Sequence, residues 1–206
     1  GKIDKEFGLN EIKTDGIDVI IAADSGMDFL YENGVTPDII VGDFDSTTTN
    51  ALEYFERKGQ TEIRKLNPIK DDTDTEYAIR LAISEGARSI VVLGATGSRI
   101  DHVLGNISLL GIGLESGTDI RIIDTNNRIR MADKPVTIEK SAQYGRFVSL
   151  IAVTDDNEVS LRGFKYPVTD YSFDRFTSLG ISNEIVDDQA VVDIHRGKFI
   201  IIESKD

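Results

Sequence analysis

The sequence predicts an α/β protein in two parts, an open, mostly parallel α/β domain over residues 1–125 followed by an antiparallel β-sandwich over residues 126–206. Three observations predict it. Apolar, β-branched runs alternate with helix-like segments up to about Asn126, which is the order of a parallel sheet with crossover helices. Beyond that point the runs become short and alternating, with turn residues between them and no helical pattern. Finally, acidic or glycine-rich clusters recur just after the strands of the first part, where open α/β sheets bind ligands.

Gly1 to Gly16 shows no convincing strand, although α/β domains of this kind often open on a strand and a glycine-rich turn. Strands are then expected at Asp18 to Ala23, Asp38 to Val41, Glu62 to Leu66, Ser89 to Leu93 and Asp119 to Asp124. Helices are expected near Gly26 to Asn33, Thr47 to Lys58, Thr73 to Glu85 and Ile100 to Glu115. Of the strands, Ile39, Ile40 and Val41 form a continuous apolar run, the mark of a strand covered on both faces. In the second part, strands fall at Val136 to Glu139, Phe147 to Ala152, Val159 to Arg162, Ala190 to His195 and Phe199 to Glu203. Gly145, the Asp155-Asp156-Asn157 run, Gly163, Pro167 and Gly197 break them.

With 206 residues, 40% of them hydrophobic, the chain can bury a real core. It contains no apolar run of the roughly 18 residues a bilayer span needs. A formal net charge of -13 without a basic stripe argues against nucleic acid or an anionic membrane as partner. The chain has no cysteine, so disulfides and thiolate metal sites are excluded and a cytoplasmic location is expected. Any phosphate substrate would meet repulsion from the acidic clusters, so a bridging divalent cation is required if those clusters form the site.

Four clusters carry the chemistry. Asp24-Ser25-Gly26 ends one strand and opens a helix, so either Asp24 or Ser25 is also a candidate N-cap. Gly42-Asp43-Phe44-Asp45-Ser46 follows the next strand. Capping needs only one of its polar residues, and two carboxylates at i and i+2 of an extended segment share a side, where Mg²⁺ suits them. In Lys70-Asp71-Asp72-Thr73-Asp74, Thr73 and Glu76 match a capping box, but the acidic residues exceed what a helix N-terminus requires, and Asp71 and Asp74 can converge on an ion. The fourth, Gly94 to His102, offers backbone N–H groups of a Gly/Ser/Thr loop to phosphate, with Arg99 as a bidentate cation or as a salt-bridge partner of an acid. Asp101 either caps the helix or binds ligand, and His102 is either a buried hydrogen-bonded residue or a ligand. The loop lacks the Gly-Lys-Ser/Thr of a P-loop.

Taken in order, A-D-S-G, then T-P-D-x-x-x-G-D-F-D-S from Thr36 to Ser46, D-x-T-D from Asp71 to Asp74, and G-x-x-G-x-R-x-D-H from Gly94 to His102 resemble the thiamine pyrophosphokinase family. The resemblance implies an ATP- and Mg²⁺-binding α/β domain, a thiamine-binding β-sandwich, and a homodimer with active sites between subunits. It implies transfer of the diphosphoryl group of ATP to the hydroxyl of thiamine, releasing AMP. Asp43, Asp45 and Asp74 then correspond to Mg²⁺ ligands, with Asp24 and Asp71 in or beside the same shell. ATP is expected on Asp24, Ser25, Gly42, Thr73, Gly94, Thr96, Gly97, Ser98, Arg99, Asp101 and His102, with Asp71, Asp74 and Arg99 as the catalytic set. Asp71 is the candidate acceptor of the thiamine hydroxyl proton. Tyr166, Ser182 and Asn183 are the thiamine candidates. Many relatives carry a stacking Trp where this chain, which has no Trp, offers Tyr166; the competing reading of Tyr166 is sandwich core.

Two rivals stand beside this reading. Asp43-Phe44-Asp45-Ser46-Thr47 also fits the D-x-D-x-T nucleophile motif of haloacid dehalogenase-like phosphatases, with Asp43 forming an aspartyl phosphate, but that reading leaves the Gly94 loop unexplained. A non-catalytic nucleotide or thiamine sensor would need no matched set of metal ligands.

Overall fold

The computed structural model describes residues 1–14, 16–44, 50–67 and 72–205. The chain separates into two compact units, Gly1–Asn106 and Ile107–Asp206. The first contains helices α1 (Lys5–Ile12), α2 (Gly26–Glu32), α3 (Ala51–Lys58) and α4 (Asp74–Ser84), and strands β1 (Ile21–Ala23), β2 (Ile39–Gly42), β3 (Glu62–Lys65) and β4 (Ser89–Val92). Helix α5 (Ile100–Ser116) begins in this unit and runs past the point of division.

Strands β1, β2 and β3 form a parallel sheet in that order, with Ala23 opposite Val41 and Val41 opposite Arg64. Every residue of β2 is buried, as its unbroken apolar run requires. Ile40 packs with Met27 and Leu30 of α2 and with Ala51 and Phe55 of α3. Its neighbours Ile39 and Val41 cluster with Leu81 of α4, so β2 has helices against both faces. Asp38 ties the sheet together at its entrance: its carboxylate accepts the Ile20 N–H at 2.8 Å and its own N–H donates to Ile20 O at 3.0 Å. Gly1 to Gly16, which shows no strand pattern, contains α1, whose N-cap Asp4 accepts the Phe7 N–H at 2.9 Å.

The second unit contains β5 (Asp119–Ile123), β6 (Asn127–Ala132), β7 (Val136–Glu139), a 3₁₀ turn at Lys140–Ala142, β8 (Phe147–Ala152), β9 (Glu158–Arg162), β10 (Val168–Ser172), β11 (Asn183–Glu184), β12 (Gln189–Arg196) and β13 (Phe199–Ser204). One sheet runs β10-β9-β12-β7 and another includes β11-β8-β13-β6-β5 in that order, with these neighbours paired antiparallel. A single buried cluster draws Val148, Leu150, Phe199 and Ile201 from one sheet and Ile138, Val159, Leu161, Val192 and Ile194 from the other.

Two features of this unit were not read from sequence. The segment from Asp119 to Asp124, expected as a strand of the first part, pairs antiparallel with β6. The connection is a tight turn in which Asp124 Oδ1 accepts the Asn126 and Asn127 N–H groups at 2.8 and 2.7 Å, far too short for a parallel crossover. Strand β6 itself escaped notice because Arg128 and Arg130 occupy alternate positions where a strand facing a core is expected to be apolar.

Those arginines converge on Glu203, which is fully buried in β13. Arg128 donates to it from Nε and Nη2 at 2.8 and 2.6 Å, the Tyr144 N–H adds a bond at 3.0 Å, and Arg130 approaches to 3.6 Å. Burial and the neighbouring Arg121 push the Arg130 guanidinium below its ordinary value. Among the described residues, no helix is long and apolar enough to cross a membrane. Removing one partner of such a network strands the others, so Glu203→Ala is expected to cost about 3–5 kcal/mol in urea denaturation, whereas replacing Arg128 and Glu203 together with leucine costs less.

Candidate active site

At the carboxyl ends of β1 and β2 the chain places Asp24 and Asp43, and the first residue of α4 is Asp74. One carboxylate oxygen from each lies within 4.8 Å of the others, and all three side chains are half-buried. The parallel register explains the first two. Asp24 donates its N–H to Val41 O at 2.8 Å, which continues the β1–β2 ladder one residue and sets Asp24 beside the Gly42-Asp43 step. Gly42 permits this closeness, because a Cβ there would lie 3.3 Å from the Asp24 Cα and 3.1 Å from the Phe44 ring. Both exits are sharp: Asp24 and Phe44 adopt left-handed φ values of 46° and 63°. For residues other than glycine this conformation costs about 1–2 kcal/mol and is found where function holds the backbone in place.

Asp74 arrives by helix capping. Thr73 is the N-cap of α4 and accepts the Glu76 N–H at 3.2 Å. The capping box is only half formed, since the Glu76 carboxylate accepts from Arg80 Nε and Nη2 at 2.9 and 2.7 Å. Ser25, by contrast, is the N-cap of α2 but makes no side-chain capping bond. Asp45, Ser46, Thr47, Lys70 and Asp71 lie outside the described residues. Three hard oxygen donors this close repel one another, and a divalent cation turns that repulsion into ligation; the set suits Mg²⁺.

The Gly94 loop runs from β4 into α5. Gly94 has φ 70°, and a Cβ on it would lie 2.9 Å from the Ile3 side chain, so both conformation and space demand glycine. Asn106, which sequence reasoning overlooked as one polar residue in an apolar helix, donates from Nδ2 to Ala95 O at 2.8 Å and pins the loop to α5. Thr96 is half-buried, while Gly97, Ser98 and His102 are exposed, which removes the reading of His102 as a buried residue. Arg99 and Asp101 satisfy each other through Nη2–Oδ2 at 2.5 Å and Nε–Oδ1 at 3.2 Å. Both are about two-thirds exposed, so the pair is weakly held and open to exchange with a phosphate oxygen.

In the second unit, Tyr166 is 61% exposed, which rules out the core reading. Ser182 has φ 60° and donates its N–H to Ser149 Oγ at 3.0 Å. Asn183 is buried, with its carboxamide bonded to the Tyr166 backbone.

The family model "Thiamin pyrophosphokinase, catalytic domain" matches residues 13–122, which include both the acidic cluster and the Gly94 loop. A second, "Thiamin pyrophosphokinase, vitamin B1 binding domain", matches residues 135–199, which include Tyr166 and Asn183. The chain belongs to the thiamine pyrophosphokinase family. It is 34% identical over 195 residues to the thiamine pyrophosphokinase of Bacillus subtilis (strain 168), covering 94% of this chain and 90% of that protein. The crystal structure of a Bacillus subtilis thiamine pyrophosphokinase superposes with a TM-score of 0.87 at 32% identity, covering 99% of this chain and 93% of that one. A Geobacillus thermodenitrificans thiamin pyrophosphokinase gives 0.83 at 30%, covering 99% and 92%. The chain is accordingly an enzyme, a diphosphotransferase of the thiamine pyrophosphokinase family with ATP and thiamine as substrates. The phosphatase and sensor readings fall away, since the catalytic-domain match spans the loop the phosphatase left unexplained.

The Arg99 guanidinium, through hydrogen bonds first, holds the Asp101 carboxyl at about 2, against 3.8 for an ordinary aspartate. Because the folded value is the lower one, the pair stabilises the fold above the ordinary carboxylate range and loses that contribution as pH falls toward about 2. An NMR titration should place the Asp101 midpoint near this value, and Arg99→Ala should return it upward.

Proposed function

We propose that residues 1–125 form the ATP and Mg²⁺ half of this enzyme and residues 126–206 a β-sandwich that binds thiamine. The convergence of Asp24, Asp43 and Asp74 within 4.8 Å carries the reading, since it supplies the donor set that a polyphosphate site in a chain of net charge -13 requires. Asp43 and Asp74, with Asp45, would hold Mg²⁺, and Asp24 would complete or support the set. When bound, the ion offsets phosphate charge and orients the polyphosphate.

The chain's own residues then position the reaction. Thiamine's hydroxyl oxygen bonds to the β-phosphorus of ATP, the bond from that phosphorus to the oxygen bridging to the α-phosphate breaks, and AMP leaves. Asp71 is the acceptor of the hydroxyl proton. Arg99 exchanges Asp101 for a phosphate oxygen, and the backbone N–H groups from Gly94 to Ser98, with Ser25, Gly42, Thr73, Asp101 and His102, shape the ATP site. Fixed charge and alignment suffice for most of the rate, because phosphoryl-type transfer asks little covalent help of the protein. Tyr166 supplies the aromatic face for thiamine, with Ser182 beside it. We further propose a homodimer with active sites between subunits; a fully active monomer in sedimentation would remove that part.

Asp43→Asn and Asp74→Asn should each lower thiamine-dependent AMP production on the order of 10²-fold or more. Release of ADP in place of AMP by the unaltered enzyme, or undiminished rates in both variants, would overturn the reading.

A further inference from the structure

Tyr166 sits at the end of a short antiparallel ladder formed by residues 163–166 and 183–186. Val186 N–H donates to Gly163 O at 2.9 Å, Phe164 bridges Ile185, and Lys165 N–H donates to Glu184 O at 2.8 Å. The next rung cannot be made by backbone in the same way, because Ser182 turns into the left-handed region at φ 60° and gives its N–H to Ser149. Asn183 takes over with its side chain. Its Oδ1 accepts the Tyr166 N–H at 3.0 Å, its Nδ2 donates to Tyr166 O at 2.9 Å, and Oδ1 also accepts the Glu184 N–H at 2.9 Å. The carboxamide thus reads both backbone groups of one residue, as a paired strand would, and it does so from a site only 7% exposed.

We propose that Asn183 is a positioning residue for thiamine binding: it reaches the vitamin through Tyr166, whose backbone it fixes so that the exposed ring is held ready, and not by direct contact. The inference rests on the thiamine role of Tyr166 given above. A second restraint agrees with it. Lys165 Nζ lies 5.6 Å from the Tyr166 ring centroid and is itself held by Glu184 at 2.8 Å, while Arg146 binds the other Glu184 oxygen at 2.8 Å. Backbone and ring are therefore restrained separately, which preorganises an aromatic face that solvent would otherwise leave free to rotate.

The chain has no tryptophan, so Tyr166→Trp creates a single fluorescent reporter at the position in question. Without substrate, steady-state anisotropy of that reporter should fall when Asn183→Ala is added; unchanged anisotropy in folded protein overturns the proposal. In kinetics, Asn183→Ala should raise KM for thiamine about tenfold while KM for ATP holds, and should add little in a Tyr166→Ala background. Full additivity would show that Asn183 acts independently of Tyr166 and would also overturn it. Should Asn183→Ala fail to fold, Asn183→Asp keeps the oxygen that accepts the Tyr166 and Glu184 N–H groups but sets a carboxylate oxygen against Tyr166 O, and is expected to lower the anisotropy and raise KM for thiamine; values equal to those of the unaltered Asn183 enzyme overturn the proposal. If Tyr166→Ala leaves KM for thiamine unchanged, the thiamine role of Tyr166 fails, while the anisotropy comparison still decides the positioning.

Discussion

The convergence of three carboxylates is the constraint around which the first unit is arranged. Asp24, Asp43 and Asp74 come from two strand ends and a helix start, and each element is held by forces unrelated to the carboxylates themselves. Apolar packing on both faces of β2 fixes the height of Asp43, the β1–β2 ladder fixes Asp24 beside it, and the Thr73 cap fixes the first turn of α4. The α4 N-terminus adds partial positive charge beneath Asp74, which eases its place in the cluster. Stability from the core thus holds together three carboxylates whose oxygens are close enough to share a divalent cation.

The thiamine site proposed for the second unit meets a different problem with similar means. Such a site needs an exposed aromatic surface, yet exposed side chains are mobile unless their backbone is held. Asn183 and the Lys165–Glu184–Arg146 chain supply that restraint from beneath and beside Tyr166. Glu184 is well suited to anchor it, since hydrogen bonds from Lys165 and then Arg146 hold its carboxyl at about 2 and keep it ionised across the working pH range.

Much of this was legible in the sequence because period and position carried it. The apolar run of β2 announced a doubly covered strand, and strand-end aspartates beyond β1 and β2 announced a site. What escaped depended on partners distant in sequence. Nothing local to Asn-Arg-Ile-Arg-Met-Ala says that Glu203, 75 residues beyond Arg128, will neutralise a strand with arginines facing inward. The antiparallel pairing of β5 with β6 was hidden for the same reason, since it is set by the Asp124 turn and by a strand that the sequence pattern conceals. Asn183 was legible as a thiamine candidate, but its bonds to the Tyr166 backbone were not, because a carboxamide binding a vitamin and one binding a neighbouring backbone look alike until the ladder is seen. Arg99 was read with both of its options open, and the structure shows the salt bridge to Asp101.

Strand β13 has a consequence for the order in which the molecule can be built. It lies between β8 and β6, pairing with both along its whole length, and brings Phe199, Ile201 and Glu203 to the centre of the second unit. Until residues 199–204 have been made, β8 and β6 have no shared neighbour and Arg128 has no carboxylate to meet. A nascent chain therefore holds two open sheet edges and a desolvation-averse arginine pair from the making of β6 and β8 until residues 199–204 follow. Closure of this unit is a late event dominated by long-range pairing, and the β1-β2-β3 sheet, whose strands are joined by short local crossovers, is free to form ahead of it.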